Sequence, residues 1–427
     1  MPIASQTNIG KCAIDSPTPT QNNKPIDLIG EVPQLFAVML AIGMQPISTA
    51  TGNIGFGIAV VASLLRAPFL WRQWASVLNE RWFQFLMAWL VWAWITLLWS
   101  PDVAFGIHQY KATRVLLWIP ILWPLRHRWG HLVAAILVGT TIMVLIQASQ
   151  MAFAWPISKF GIGAGLTTPT QTGLWAAISL SFWLIFIVIA GWQRALISLP
   201  LAVLAATGLV WSATRASVFG VMVELVIANI VLAITSKGWF NRAIIRCVVG
   251  VVILGGVLLI VPSTLKVKFE QAVVETKTAM RGDVPTTAEI RLAMWKMTLI
   301  GWKEKPIFGY GIGGIPSIAK NTAVTNPDTD MKTVTMIHST YLSTLAETGL
   351  IGLGLLTTFI ALFFMQAFQA VRENPVRVSA FGAAVVWFTA AAFDGYQQSG
   401  GFLSVGAIVM VLAVARVPAM VGSEIRN

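Results

Sequence analysis

The sequence predicts an all-α integral membrane protein, a bundle of about twelve transmembrane helices with one large helix-containing loop. Three observations predict it. Of 427 residues, 56% are apolar and 11% charged, whereas a soluble domain carries roughly a quarter charged residues. Mean hydropathy is +0.74. The apolar runs are rich in Leu, Ile, Val and Ala and too long for barrel strands of roughly ten residues. Two cysteines, Cys12 and Cys247, exclude a disulfide scaffold, and with four histidines no zinc-site spacing arises. No metal and no cofactor is expected.

Residues 1–33 are polar, with Pro17, Pro19, Asn22, Asn23 and Lys24, and read as a disordered cytoplasmic tail. They lack the basic-then-apolar layout of a cleaved signal, so the first apolar segment is expected to stay as an anchor. Nine spans are expected within 34–262, near 34–50, 52–66, 82–99, 111–125, 131–153, 172–190, 195–211, 216–235 and 244–262. Three more fall within 342–418, near 342–369, 377–393 and 400–416, and 419–427 form a short cytoplasmic tail. Trp71, Trp82, Trp99, Trp155 and Trp239 lie near span ends, where interfacial anchoring accounts for them.

Orientation follows from the basic residues. With the N-terminus inside, Arg66, Arg72, Arg81, Arg126, Arg128, Arg194, Arg242, Arg246, Arg372 and Arg377 fall on the cytoplasmic side, while the short outer connections hold Lys111, Arg114, Lys159 and Arg215. Both termini are therefore expected in the cytoplasm. The net charge of +12 is spread along one side of a membrane, and no nucleic-acid partner is expected.

Residues 263–341 form the exception, an outer loop with ten Lys/Arg against seven Asp/Glu. Loops of that length normally contain structure or function. One helix is predicted over 263–280, with Leu265, Phe269 and Val273 in register and Gly282 as its stop. A second begins at Thr286, where Glu289 completes a capping box, and runs to about Trp302 before Pro306. Its Arg291, Lys296 and Lys303 among Met, Trp and Leu predict a helix lying on the membrane surface.

Several residues are candidates for chemistry. Arg215, in Trp-Ser-Ala-Thr-Arg-Ala-Ser, sits between two spans on the outer side, against the orientation bias. It is either a snorkelling end-cap or a planar fork for phosphate, and Glu224 in the following span is its nearest candidate acidic partner. Lys111 and Arg114 form a second outer basic patch or a snorkelling pair. His338, the only histidine of the outer loop, is either a structural hydrogen-bonding residue or a proton acceptor. At 100° per residue Tyr341 and Leu342 share its face. Glu347 points the opposite way and is expected to serve a neighbouring helix or an acceptor pocket. Asp394, at the outer end of the penultimate span, is either a solvated helix end or a partner for an outer arginine. The Gly-Tyr-Gly-Ile-Gly-Gly run at 309–314 fits a dinucleotide fingerprint by spacing, but no strand precedes it, and it reads as a flexible turn. Asp328 and Asp330, among Thr, Asn and Pro, read as a solvated turn rather than a cation site.

The stretch Gly301-Trp302-Lys303-Glu304-Lys305-Pro306-Ile307-Phe308-Gly309-Tyr310-Gly311-Ile312-Gly313, followed by His338-Ser339-Thr340-Tyr341-Leu342 and Glu347-Thr348-Gly349-Leu350-Ile351-Gly352, resembles the O-antigen ligase and polymerase superfamily. Arg291 with Trp295 matches the start of that superfamily's signature region, and Arg215 matches its Ser/Thr-Arg at an earlier span. Ser339 stands where the family usually has Asn. The resemblance implies a GT-C-type glycosyltransferase of the Gram-negative inner membrane, with its site facing the periplasm. The donor would be an O-antigen glycan on undecaprenyl diphosphate, and the acceptor a sugar hydroxyl of lipid A-core, both reached among membrane lipids. Arg215 and Arg291 would bind the diphosphate and His338 would orient or deprotonate the acceptor. Displacement would be metal-independent and inverting, with Tyr341, Glu347 and Asp394 in support. Polymerase and protein O-oligosaccharyltransferase share that donor, and a lipid-linked oligosaccharide flippase is the rival from another class.

Overall fold

In the computed structural model, described over residues 27, 30–155, 165–189, 192–236, 238–260, 287–323, 334–396 and 399–415, every regular element is helical. The helix expected over 263–280, Lys159, Asp328, Asp330 and most of both tails lie outside the described residues. Helices α1 (Glu31–Met44) and α2 (Thr49–Leu65) form an antiparallel hairpin, with Gln34 Nε2 donating to Ser63 Oγ at 2.8 Å and Gly55 packed on Ala41. Helix α3 (Ala67–Leu78) leaves α2 at 106°, and α4 (Arg81–Ile95) leads through the 3₁₀ turn Thr96–Trp99 to the far end of the bundle.

The span expected at 111–125 is not one helix. It is a relay of α5 (Val103–Tyr110), a 3₁₀ stretch Lys111–Leu117, α6 (Trp118–Leu122) and a second 3₁₀ stretch Trp123–Arg128, before the long α7 (Trp129–Phe153). Pro120 and Pro124 each lack the amide that an α-helical ladder needs there. Helices α8 (Pro169–Ile189), α9 (Trp192–Trp211), α10 (Arg215–Thr235) and α11 (Phe240–Ile260) follow. Two more, α12 (Thr287–Glu304) and α13 (Ile315–Ala323), form a small cap. The chain ends with α14 (Thr340–Glu373), α15 (Val378–Ala390) and α16 (Gly400–Val414).

Among the described residues, six helices are long and apolar enough to cross a membrane, or seven if the bent α2–α3 pair counts as one span, and four shorter apolar helices accompany them. The twelve-span count is thus not established. Helices α15 and α16, 13 and 15 residues long, fall short of the roughly 20 needed to cross perpendicularly. Nearly every side chain of α15 is buried, and in α16 every residue from Phe402 to Val414 is enclosed. Such all-round apolarity marks a central helix packed within others.

Three side chains sit elsewhere than their sequence positions suggest. Trp82 is fully buried rather than interfacial, ringed by Trp123, Phe359 and Phe363. Arg246, placed by the charge pattern at the cytoplasmic end of the span near 244–262, is fully buried on α11, paired with Glu224 of α10 and donating to Asn229 Oδ1 at 3.2 Å. Arg377 is likewise buried, donating to Leu412 O at 3.1 Å and lying over the Trp129 ring. Each long side chain finds a partner for its charge or ring only inside the bundle. A second, smaller core of Met297, Tyr310, Ile315, Ile318, Ile337 and Ala346 seats α12, α13 and the 306–314 turn on the end of the bundle where α14 begins.

Candidate active site

Ser339, with extended φ of −160°, accepts a hydrogen bond from Leu342 N at 3.4 Å through its side chain. It is the N-cap of α14, which is what a serine does at the position where the resembled family has asparagine. His338, just before the cap, has φ +46°, a left-handed conformation that histidine tolerates better than most residues. It therefore lies off the helix, and the face it was expected to share with Tyr341 and Leu342 does not form. Its Nδ1 is 3.5 Å from Asp394 Oδ1, with side chains 33% and 17% exposed.

Asp394 is firmly placed. Its Oδ1 accepts from Gly395 N at 2.9 Å, and its carbonyl accepts from Thr340 Oγ1 at 2.9 Å. Thr340 N donates to Ala391 O, and Thr340 Oγ1 accepts from Tyr396 N, both at 2.9 Å. The turn after α15 is thus clamped to the first residue of α14. Tyr396 is fully buried here; burial first, and then the neighbouring Asp394 charge, holds its phenol well above the ordinary range. The sequence offered Asp394 either solvent or an arginine, and the structure sets it, mostly enclosed, against an imidazole.

Phe393 brings the two arginine-bearing helices to the same place. Phe219 of α10 meets it edge-on with centroids 5.6 Å apart, and Trp295 of α12 lies 6.4 Å away. Arg215 and Arg291 each precede one of these aromatics by four residues, one helical turn. Both arginines are half-buried. From the same point an apolar groove of about 890 Å³ runs between α10, α14 and α15, lined by Phe219, Tyr341, Phe364, Phe388 and Phe393 and reaching Arg372 near the far end of α14. Phe219, Ile227 and Met365 on its lip are exposed, so it opens on the side of the bundle. Tyr341 fixes one wall by donating to Phe388 O at 2.8 Å.

Glu347 is not brought to His338. It is fully buried, with Oε1 accepting from Gly313 N at 2.9 Å and Oε2 accepting from Tyr110 OH at 3.3 Å. The 309–314 run is a packed turn rather than a flexible one. Gly313 has φ +87°, and a Cβ on it would come within 2.7 Å of Asp102 O and Gly106 N, so only glycine fits. Beside it, burial and then the hydrogen bond to the Glu304 carboxylate push the Tyr310 phenol up to about 12. Sequence reasoning missed Gln109, whose Nε2 donates to Thr335 O at 2.9 Å, as well as Tyr110, Thr340 and Phe393. These act through contacts between residues far apart in the chain, and Gln109 and Tyr110, standing between His108 and Lys111, gave no local signal. Among the described residues no cluster of three or more metal-ligating side chains occurs.

Residues 200–357 match a family model described as O-antigen ligase. The matched region includes Arg215, Arg291, His338 and Glu347, spans less than half of the chain, and supports assignment to the O-antigen ligase family. No curated protein matches the chain.

Proposed function

Taking membership of the O-antigen ligase family as the premise, we infer that this multi-pass membrane protein transfers a glycan from undecaprenyl diphosphate to a sugar hydroxyl of lipid A-core, at the periplasmic face of a Gram-negative inner membrane. Its chief support is the His338–Asp394 pair, which adjoins in sequence the Phe393 that lines the lateral apolar groove, with Phe219 and Trp295, each one helical turn from an arginine, meeting at Phe393. The groove suits a polyprenyl chain, leaving the diphosphate at the bundle end.

Arg215 and Arg291 hold the diphosphate, and their fixed charge stabilises what builds on it as it departs. His338 accepts the proton of the acceptor hydroxyl while Asp394 steadies the imidazolium that forms. The acceptor oxygen bonds to the anomeric carbon from the side opposite the diphosphate, the bond to the diphosphate oxygen breaks, and undecaprenyl diphosphate leaves with the electron pair. The anomeric centre inverts. A flippase would need accessible charge at a central site. Glu224, the acid within a span that it would use, is fully enclosed with Arg246.

The test is reconstitution of purified protein with undecaprenyl-diphosphate glycan and, separately, core lipid, peptide or a second donor, with the product identified by mass spectrometry. Core lipid should be glycosylated, and His338→Ala or Arg215→Ala should each lower the rate about a hundredfold or more with unfolding temperature unchanged. A glycosylated peptide or a lengthened donor would identify the oligosaccharyltransferase or polymerase instead. Donor moved across vesicles without transfer would identify the flippase.

A further inference from the structure

The segment Val103–Leu117 has two faces. One is built into the site. Gly106 lies against Ile312, where a Cβ would come within 2.5 Å of the carbonyl oxygen. Gln109 donates to Thr335 O, three residues before His338, and Tyr110 donates to Glu347. The opposite face is exposed and carries His108, Lys111, Arg114 and Leu117, each three residues after the last. In a 3₁₀ helix residues three apart eclipse one another, about 6 Å apart along the axis, so Lys111, Arg114 and Leu117 stand in a single file. Lys111 Nζ donates to His108 Nδ1 at 3.1 Å, which extends the file into α5. Among the described residues neither Lys111 nor Arg114 forms an ion pair with an acid.

The file is amphiphilic, its basic side chains flanked by exposed apolar ones, Ile107 at 45% and Leu117 at 62% exposure. Such a surface is complementary to an amphiphile with phosphate on its head and hydrocarbon below it. The buried face fixes this segment relative to Thr335 and Glu347, so a head group bound on the file is held at a set place relative to His338.

The geometry points to the His108–Lys111–Arg114 file as the docking site for a phosphate on the sugar head of the acceptor glycolipid, placing its hydroxyl for His338. This rests on the transferase reading. The donor diphosphate is assigned to other helices, α10 and α12, which leaves the file for the second substrate.

Wild type and the Lys111→Gln/Arg114→Gln double variant are placed in nanodiscs of neutral lipid. Binding of core glycolipid, the same glycolipid stripped of phosphate, and phosphatidylglycerol is then measured by native mass spectrometry without donor. Wild type should prefer the phosphorylated glycolipid, and the double variant should lose about thirtyfold in affinity for it while binding the stripped form as wild type does. In turnover the variant's KM for phosphorylated acceptor should rise by a similar factor and its KM for donor stay put. Both side chains are exposed, and an unchanged melting temperature verifies folding. No preference in wild type overturns the proposal. An equal loss toward phosphatidylglycerol overturns it too, in favour of a surface for bulk anionic lipid. Because binding is read without donor, a protein that binds with the expected preference yet transfers nothing counts against the transferase reading alone.

Discussion

At His338 two constraints meet, a left-handed backbone and a carboxylate 3.5 Å from the ring. A non-glycine residue in that region costs of order 1 kcal/mol, and it persists because Ser339 caps α14 and Thr340 locks the following turn to Ala391 and Tyr396. The ring thereby escapes the helix and faces Asp394. Asp394→Asn should lower kcat about tenfold with little change in KM, since it weakens the orientation and charge balance of the proposed base without touching either substrate. Steady-state rates with core lipid measure this, and an unaltered kcat would remove Asp394 from the site. The candidacy of His338 was legible from its place in the outer loop and from the resemblance. Its partner was not, because Asp394 lies 56 residues further on and nothing local distinguishes a solvated acid from one folded against an imidazole.

Helix α14 is the element on which the site depends, and it is broken. At Gly349 the backbone turns to φ 67°, ψ −167°, which interrupts the ladder and leaves amides and carbonyls without helical partners. The 306–314 turn supplies replacements. Leu350 N donates to Pro306 O and Tyr310 N to Ala346 O, both at 2.9 Å, while Gly311 N donates to Glu347 O at 2.8 Å. Orphaned backbone groups in a lipid-embedded helix would cost several kcal/mol each, so turn and break require one another. A Cβ at Gly349 would sit 2.1 Å from Ile307 O. Gly349→Ala should therefore destabilise the protein by about 2–4 kcal/mol, read as a lowered unfolding midpoint in detergent, and slow transfer by loosening the half-helix that follows His338. An unshifted midpoint would show that the break is dispensable. The sequence displays the same residues as an apolar run from 342 to 369, and hydropathy averages over a single glycine. The glycine-rich run reads as flexible for the same reason, since its packing partners lie in α5 and α14.

For the molecule as a whole, apolar composition and the spacing of long runs were enough to identify a helical membrane bundle. They do not separate a span facing lipid from a short helix enclosed by others, and α15 and α16 are of the second kind. Charge position alone also did not show the burial of Arg246, which counts by sequence as a cation at the cytoplasmic end of a span and is fully enclosed in the fold. It joins α10 to α11 through Glu224, and Gly382 of α15 packs directly on that carboxylate. Glu224→Ala leaves a buried guanidinium without its counter-charge and should cost about 3–5 kcal/mol, while Glu224→Leu with Arg246→Met should recover most of it. Thermal unfolding of the single and double variants decides this, and a double variant no better than the single would mean that the pair is needed for the bundle to assemble.

For the proposed lipid-linked donor, the sideways opening between Phe219, Ile227 and Met365 changes how supply must be reckoned. A carrier that enters through such a slot never leaves the bilayer, and the spent carrier departs the same way, so exchange is a two-dimensional encounter. Saturation then follows the carrier's mole fraction among its neighbouring lipids, and the volume of the surrounding water drops out.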